Sequence, residues 1–212
     1  MSQASLRDCV LAATKAVEAS RDELSRLDAA AGDGDHGVTM ALAARAVRKT
    51  LDDAPDLGGE PLVTRLAMAM GSVGGAIGPI YATSLLAVAG KMQSVRPAGA
   101  PSVEYLAICA AAAESAIAAL GGAKPGDKTI LDALHPAVKA LQEANDAGST
   151  GANALIAAAS AASEGAAASA EMVAVVGRAS RLGERSRGLA DPGASSLALI
   201  LEAFSQAYRE GS

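Results

Sequence analysis

The chain has 212 residues, a formal charge of -5 at pH 7, and 50% hydrophobic but only 2% aromatic residues. That length suits one domain with a sizeable core, so residues 1–212 are read as a single unit. The acidic balance argues against a nucleic-acid partner, and two isolated cysteines, Cys9 and Cys109, offer neither metal spacing nor a disulfide framework, which fits a reducing, cytoplasmic setting.

The apolar content is mostly alanine, which favours closely packed helices, and helical periodicity runs the length of the chain. Residues 1–8 carry no signal-peptide pattern. Leu6, Val10, Ala13, Val17, Leu24 and Asp28 fall near one stripe, so a first helix should end with Asp28 on its apolar face. A second helix starts near His36 and runs to about Leu51, and residues 52–61 form a Pro/Gly/Asp connector. Helices follow over residues 62–72 and 77–92. Residues 66–90 carry no charge and could span a bilayer by length, but Gly74-Gly75-Ala76-Ile77-Gly78-Pro79 interrupts them. That break predicts two buried helices and no membrane insertion. Ser102 should cap a helix whose stripe is Val103, Leu106, Ala110, Ala113, Ile117 and Leu120. After a loop at 121–126, Asp127 should cap a helix to about Ala147, bent at Pro136. Residues 152–175 read as one helix, and 177–188 as an irregular segment with four arginines. Asp191-Pro192-Gly193 pairs an N-cap with proline at the first helical position, opening a last helix faced by Leu197, Leu201, Phe204 and Tyr208. No strand pattern competes anywhere.

Gly32-Asp33-Gly34-Asp35-His36-Gly37 has the form of a dinucleotide fingerprint, but that fingerprint brings bare amides to a pyrophosphate. Two aspartates there would repel the same phosphate unless a divalent cation lay between them. Asp33 and Asp35, with Asp28 from the preceding helix, are therefore candidate ligands for a hard cation such as Mg2+. Gly34 permits the turn that lets both acids face one ion. The amides of His36, Gly37 and Val38 would open the next helix, where the dipole favours phosphate. The competing reading is a simple N-cap at Asp33 or Asp35 with glycines making a turn. Gly71-Ser72-Val73-Gly74-Gly75-Ala76 offers either close backbone approach to a ligand or a tight helix crossing. Residues 121–129 nearly spell a phosphate-binding P-loop, but Asp127 stands where that motif needs lysine and no strand precedes it. The four-arginine segment suits either phosphate or a solvated surface. Asp191 reads as a cap, and His135 as a structural histidine.

Together these residues resemble the nucleotide-binding L subunit of dihydroxyacetone kinase, from about Asp28 to the C-terminus. The motifs that carry the resemblance are Asp28 with Asp33-Gly34-Asp35-His36-Gly37, Ser72-Val73-Gly74-Gly75-Ala76 with Gly78-Pro79, and Lys124-Pro125-Gly126-Asp127-Lys128-Thr129. To these are added Gly177-Arg178-Ala179-Ser180 with Leu182-Gly183-Glu184-Arg185-Ser186, and Asp191-Pro192-Gly193-Ala194. The resemblance implies an all-α fold, an antiparallel barrel of eight amphipathic helices with the nucleotide site at one end. It implies that Asp28, Asp33 and Asp35 hold two Mg2+ ions and that His36, Gly37, Val38 and Thr39 contact the phosphates of ADP or ATP. Ala76, Ile77, Gly121 and Ile130 would line the nucleotide pocket. Arg178 would neutralise phosphate and act with the three aspartates in catalysis. Asp191, Pro192 and Gly193 would close the site. Ile77, where members often have a small polar residue, and Thr39, where some have asparagine, depart from the pattern. The implied activity is phosphoryl transfer to dihydroxyacetone, or a related short ketose such as erythrulose, held on a separate K subunit. The donor would be ATP or, through bound ADP, a phosphotransferase-system M subunit. The alternative from another class is a non-catalytic nucleotide-binding regulatory module.

Overall fold

Ser5 opens the first helix with a capping box: its hydroxyl accepts the Asp8 N–H at 3.2 Å, and the Asp8 carboxylate accepts the Ser5 N–H at 3.1 Å. The helix, α1 (Leu6–Ala19), stops at Ser20, and α2 (Arg21–Ala31) starts at once. The single helix expected to reach Asp28 is thus two. Serine is a poor interior residue, and at φ -95°, ψ 9° Ser20 redirects the chain. Leu24 and Asp28 are the buried positions of α2, so the apolar stripe continues across the break.

This computed structural model describes residues 5–95 and 101–211; the signal-free reading of residues 1–4 lies outside them. The chain continues as α3 (His36–Asp53), α4 (Gly59–Gly71), α5 (Ile77–Ser94), α6 (Val103–Gly121), α7 (Leu131–Asp146), α8 (Gly151–Ala168) and α9 (Pro192–Glu210). Among the described residues there is no strand, as the periodicity predicts. From α3 to α9 each helix packs on the next, and α1 packs on both α9 and α3, so eight helices close into a ring. The ninth, α2, lies against α3 and touches α9. Arg7 fastens α1 to the end of α3 by donating to the carbonyls of Leu51 (2.6 Å), Ala54 and Leu57 (3.3 Å).

Alanine lets these helices approach closely. On α8, Ala154, Ala158, Ala162 and Ala166 recur every fourth residue, all buried, in one cluster with Ala133, Ala137 and Leu141 of α7. Pro136 lacks the N–H that would have met the Asp132 carbonyl, and that carbonyl faces α8 instead. A Cβ at Gly165 would sit 2.1 Å from it, so only glycine fits this crossing.

Three expected boundaries move. Helix α7 starts at Leu131 rather than Asp127, because Asp127 accepts the Lys124 N–H (2.9 Å) and Asp132 accepts those of Gly126 (2.5 Å) and Thr129 (2.7 Å), folding 124–129 into turns. Helix α8 ends at Ala168, followed by a short 3-10 turn, Ser169–Glu171. The four-arginine segment is 3-10 over Arg178–Ser186, interrupted at Gly183. The charge-free stretch splits into α4 and α5 as expected. Among the described residues one helix, α6, is long and apolar enough to cross a membrane, and it packs between α5 and α7.

Candidate functional site

Between α2 and α3 the chain reverses in four residues. Gly34 takes φ 78°, open to glycine without strain, and the start of α3 is pressed so tightly on α2 that a Cβ at Gly37 would lie 1.9 Å from the Arg21 carbonyl. Beneath this turn Asp28 is buried, and its carboxylate accepts the His36 N–H at 3.2 Å. Asp28 thereby takes the capping role that the sequence allowed to Asp33 or Asp35. Asp35 occupies the N-cap position but makes no side-chain cap bond, and the one backbone N–H that Asp33 accepts is that of Asp35, at 3.4 Å. Asp33 and Asp35 are both exposed, and ligand oxygens of Asp28, Asp33 and Asp35 all lie within 4.8 Å of one another. Three carboxylates this close repel unless a cation offsets them, and an all-oxygen set of this kind suits a hard divalent ion. The cation in contact here is Arg178: Nη1 pairs with Asp33, and Nη2 lies 3.1 Å from Asp35 Oδ1.

His36 turns its ring inward rather than toward the acids. Its Nε2 lies 3.1 Å from Ser196 Oγ, and the ring also bonds to the backbone of Pro192. Burial holds the imidazole below its ordinary value, outweighing the Asp28 charge, so the ring is neutral at pH 7 and acts as a clip between α3 and α9. Asp191 caps α9, accepting the Ala194 N–H at 2.7 Å, while its own N–H donates to Ser169 Oγ at 2.8 Å. Burial pushes the Asp191 carboxyl up to about 6; Asp132 adds to the rise, and the Ala194 N–H and Lys128 oppose it.

Lys128 is the one non-glycine among the described residues with positive φ, 62°, a backbone state costing such a residue about 1 kcal/mol or more. Its side chain is buried, and Nζ donates to the carbonyls of Met172 (3.0 Å) and Ser186 (2.5 Å). Ser186 Oγ accepts the Ala174 N–H (2.9 Å), and the Val175 N–H reaches the Asp127 carbonyl (3.1 Å). The segment bearing Arg178 is therefore pinned at its base, while Arg178 extends to the acidic loop.

Of the expected residues, Asp28, Asp33, Asp35 and Arg178 come together, and His36 reaches Pro192. His36 ties the start of α3 to that of α9, and a Cβ at Gly193 would sit 3.7 Å from Ile130 Cβ at the start of α7. At the start of α5, Ile77 packs on the cluster of Val17, Leu24, Met40 and Ala44. The start of α3, a partial positive charge, lies against the Asp28 carboxylate. Ala76 is exposed at the entry to α5, Gly121 is exposed at the end of α6, and Val38 is exposed on the first turn of α3. Thr39 is half-buried, its N–H donating to the Asp35 carbonyl at 2.9 Å. Around Gly74 and Gly75 there is open space, so these glycines do not mark a tight crossing; the close approach is at Gly78, against the Val73 carbonyl. His135 pairs with Glu114 at 2.6 Å, in keeping with a structural role. Sequence reasoning gave no role to Lys128 or Ser186, which lie in its motifs, and did not single out the buried Asp132, Ser169 and Ser196; of these, Asp132 alone has a local capping signal, its spacing from Thr129.

The sequence model of the DAK2 domain matches residues 30–206. The chain is 34% identical over 192 residues to the PEP-dependent dihydroxyacetone kinase 2 ADP-binding subunit DhaL of Listeria innocua, covering 87% of this chain and 85% of that protein. It is 37% identical over 187 residues to the L-erythrulose 1-kinase of Mycolicibacterium smegmatis, covering 87% of this chain but 32% of that protein. Among solved structures it is similar to the dihydroxyacetone kinase from C. freundii in complex with AMP-PNP and Mg2+, with TM-score 0.71 and 27% identity over 97% of this chain and 34% of that one. The chain thus spans most of the DhaL subunit and about a third of the other two proteins.

Proposed function

We propose, since this chain belongs to the DAK2 domain family, that it is the nucleotide-binding subunit of a kinase acting on dihydroxyacetone or a related short ketose, the substrate being held on a separate K subunit. The observation that carries this reading is the convergence of Asp28, Asp33 and Asp35 at the start of α3, with Arg178 reaching them from the far end of the sequence. The names of the relatives support the ketose class and the ADP-binding role.

The three carboxylates fit Mg2+ and would hold it. Mg2+ bound there supplies charge neutralisation to a phosphate chain. The chain's own residues do the rest. The first turn of α3, from His36 to Thr39, presents amide groups and the positive end of the helix dipole to phosphate. Arg178 offers a planar fork of donors whose partners in this structure, Asp33 and Asp35, are anions it can exchange for phosphate oxygens. Ala76, Ile77, Gly121 and Ile130 supply the wall for the rest of the nucleotide. The Asp191-Pro192-Gly193 turn borders it, fixed by the His36 and Ser169 contacts.

Two measurements test this. Calorimetry of ADP binding with and without Mg2+ should show metal-dependent affinity in the native chain and its loss in Asp33→Asn. Phosphoryl transfer to dihydroxyacetone should require an added K subunit; turnover by this chain alone would overturn the division of labour. ADP that co-purifies through gel filtration would support rephosphorylation in place by a phosphotransferase-system M subunit; the Listeria relative is named as the ADP-binding subunit of a PEP-dependent kinase. Freely exchanging nucleotide would favour ATP as donor. Normal transfer by Asp33→Asn would favour a misplaced site or a regulatory nucleotide sensor.

A further inference from the structure

We propose that Lys128 is a positioning residue: its ammonium clips the two ends of the segment that carries Arg178 and so holds that guanidinium over the acidic loop. The inference rests on the phosphate-site reading of Arg178 given above. Lys128 Nζ donates to the Met172 carbonyl at 3.0 Å and to the Ser186 carbonyl at 2.5 Å, and Arg178 lies between those two residues in the chain. Both carbonyls converge on one buried cation, so the segment forms a closed loop whose neck is this side chain. The neck is reinforced by neighbours: the Asp127 carbonyl takes the Val175 N–H, and Ser186 Oγ takes the Ala174 N–H. Beyond the neck, Arg178, Arg181 and Arg185 are exposed.

The backbone of Lys128 points the same way. At φ 62° glycine would be the unstrained choice, yet this position keeps a long side chain and buries it. Lys128 also lies within electrostatic reach of Asp191, at the turn whose Pro192 bonds to His36. One cation therefore joins the Arg178 segment to the turn at the other edge of the acidic loop. Nothing in its contacts requires it to touch nucleotide or substrate, so its effect passes through Arg178.

The test uses Lys128→Met, which keeps the apolar stem and deletes the donors. Lys128→Gly, which also relaxes the backbone, serves as a second variant should the first fail to fold. In the full-length chain, hydrogen exchange and tryptic cleavage within 172–187 should accelerate by about tenfold or more, with exchange in α3 to α7 unchanged. In the assay with a K subunit, Lys128→Met and Arg178→Ala should each lower kcat while leaving the KM for the ketose unaltered. The double variant should be no worse than Arg178→Ala alone, since both act on one unit. A folded Lys128 variant with native exchange in 172–187 overturns the clip. Faster exchange with native kcat, where Arg178→Ala lowers kcat, overturns the positioning role. If Arg178→Ala itself transfers phosphate normally, the site reading falls instead, and the exchange data alone then decide whether the clip exists.

Discussion

Asp191→Asn gives the sharpest test of the electrostatics at this end of the ring. The residue is half-buried, and its carboxyl titrates near 6 rather than 3.8, chiefly because loss of solvent penalises its charged form. A carboxyl whose folded value is raised stabilises the fold fully only below its unfolded value. That contribution is lost as pH rises through the folded value, because the native state holds a proton the unfolded chain has released. Stability attributable to Asp191 should therefore fall between about pH 4 and 6. A difference of about two pH units corresponds to roughly 3 kcal/mol. Asparagine keeps an oxygen to accept the Ala194 N–H and cannot ionise, so it removes the pH term while preserving the cap. Urea unfolding of both proteins across pH 4 to 7 reads the effect. The variant should gain on the native chain with rising pH, by up to about 3 kcal/mol, and the gap should level off above about 6. A gap that is constant across the window, or that moves toward the native chain as pH rises, refutes the reasoning.

Gly37→Ala places a Cβ 1.9 Å from the Arg21 carbonyl, so α3 must shift away from α2; the expected loss is about 3 kcal/mol in chemical denaturation, with Mg2+-dependent ADP binding lost in parallel. Asp28→Ala should lower stability by about 1–2 kcal/mol even without metal, because Asp28 caps α3. Asp33→Ala, on an exposed residue, should leave thermal stability near that of the native chain, and equal losses for the two would contradict the division of roles. Arg7→Met strips the charged donor from the carbonyls of Leu51, Ala54 and Leu57 and should cost about 1–3 kcal/mol, with hydrogen exchange rising at the end of α3.

Much of this molecule can be read along the chain. The last helix, the caps at Ser102 and Asp191 and the break before Ile77 follow from local periodicity and capping chemistry, and the structure has them; the α6 stripe holds only in part, with Leu120 exposed and Tyr105, Ala107 and Cys109 buried instead. Boundaries fail where a side chain makes a bond that local pattern does not record. Ser20 divides a continuous stripe, and Asp127 serves a turn instead of a helix. At the site, the three aspartates are visible because they lie within eight positions of one another. What they do is less visible: Asp28 caps α3, while Asp33 and Asp35 are left for a cation.

The sequence by itself determines that this chain is all-helical, that its alanine stripes pack closely and that an acidic turn precedes a helix, because each depends on residues within a few turns of one another. Only the tertiary structure decides that Arg178 meets Asp33 across 145 positions, that Lys128 is buried beneath the arginine segment and that His36 clips α3 to α9 rather than facing the acids. Those contacts join residues whose separation carries no period, and they form only when the helices pack and bring distant segments together.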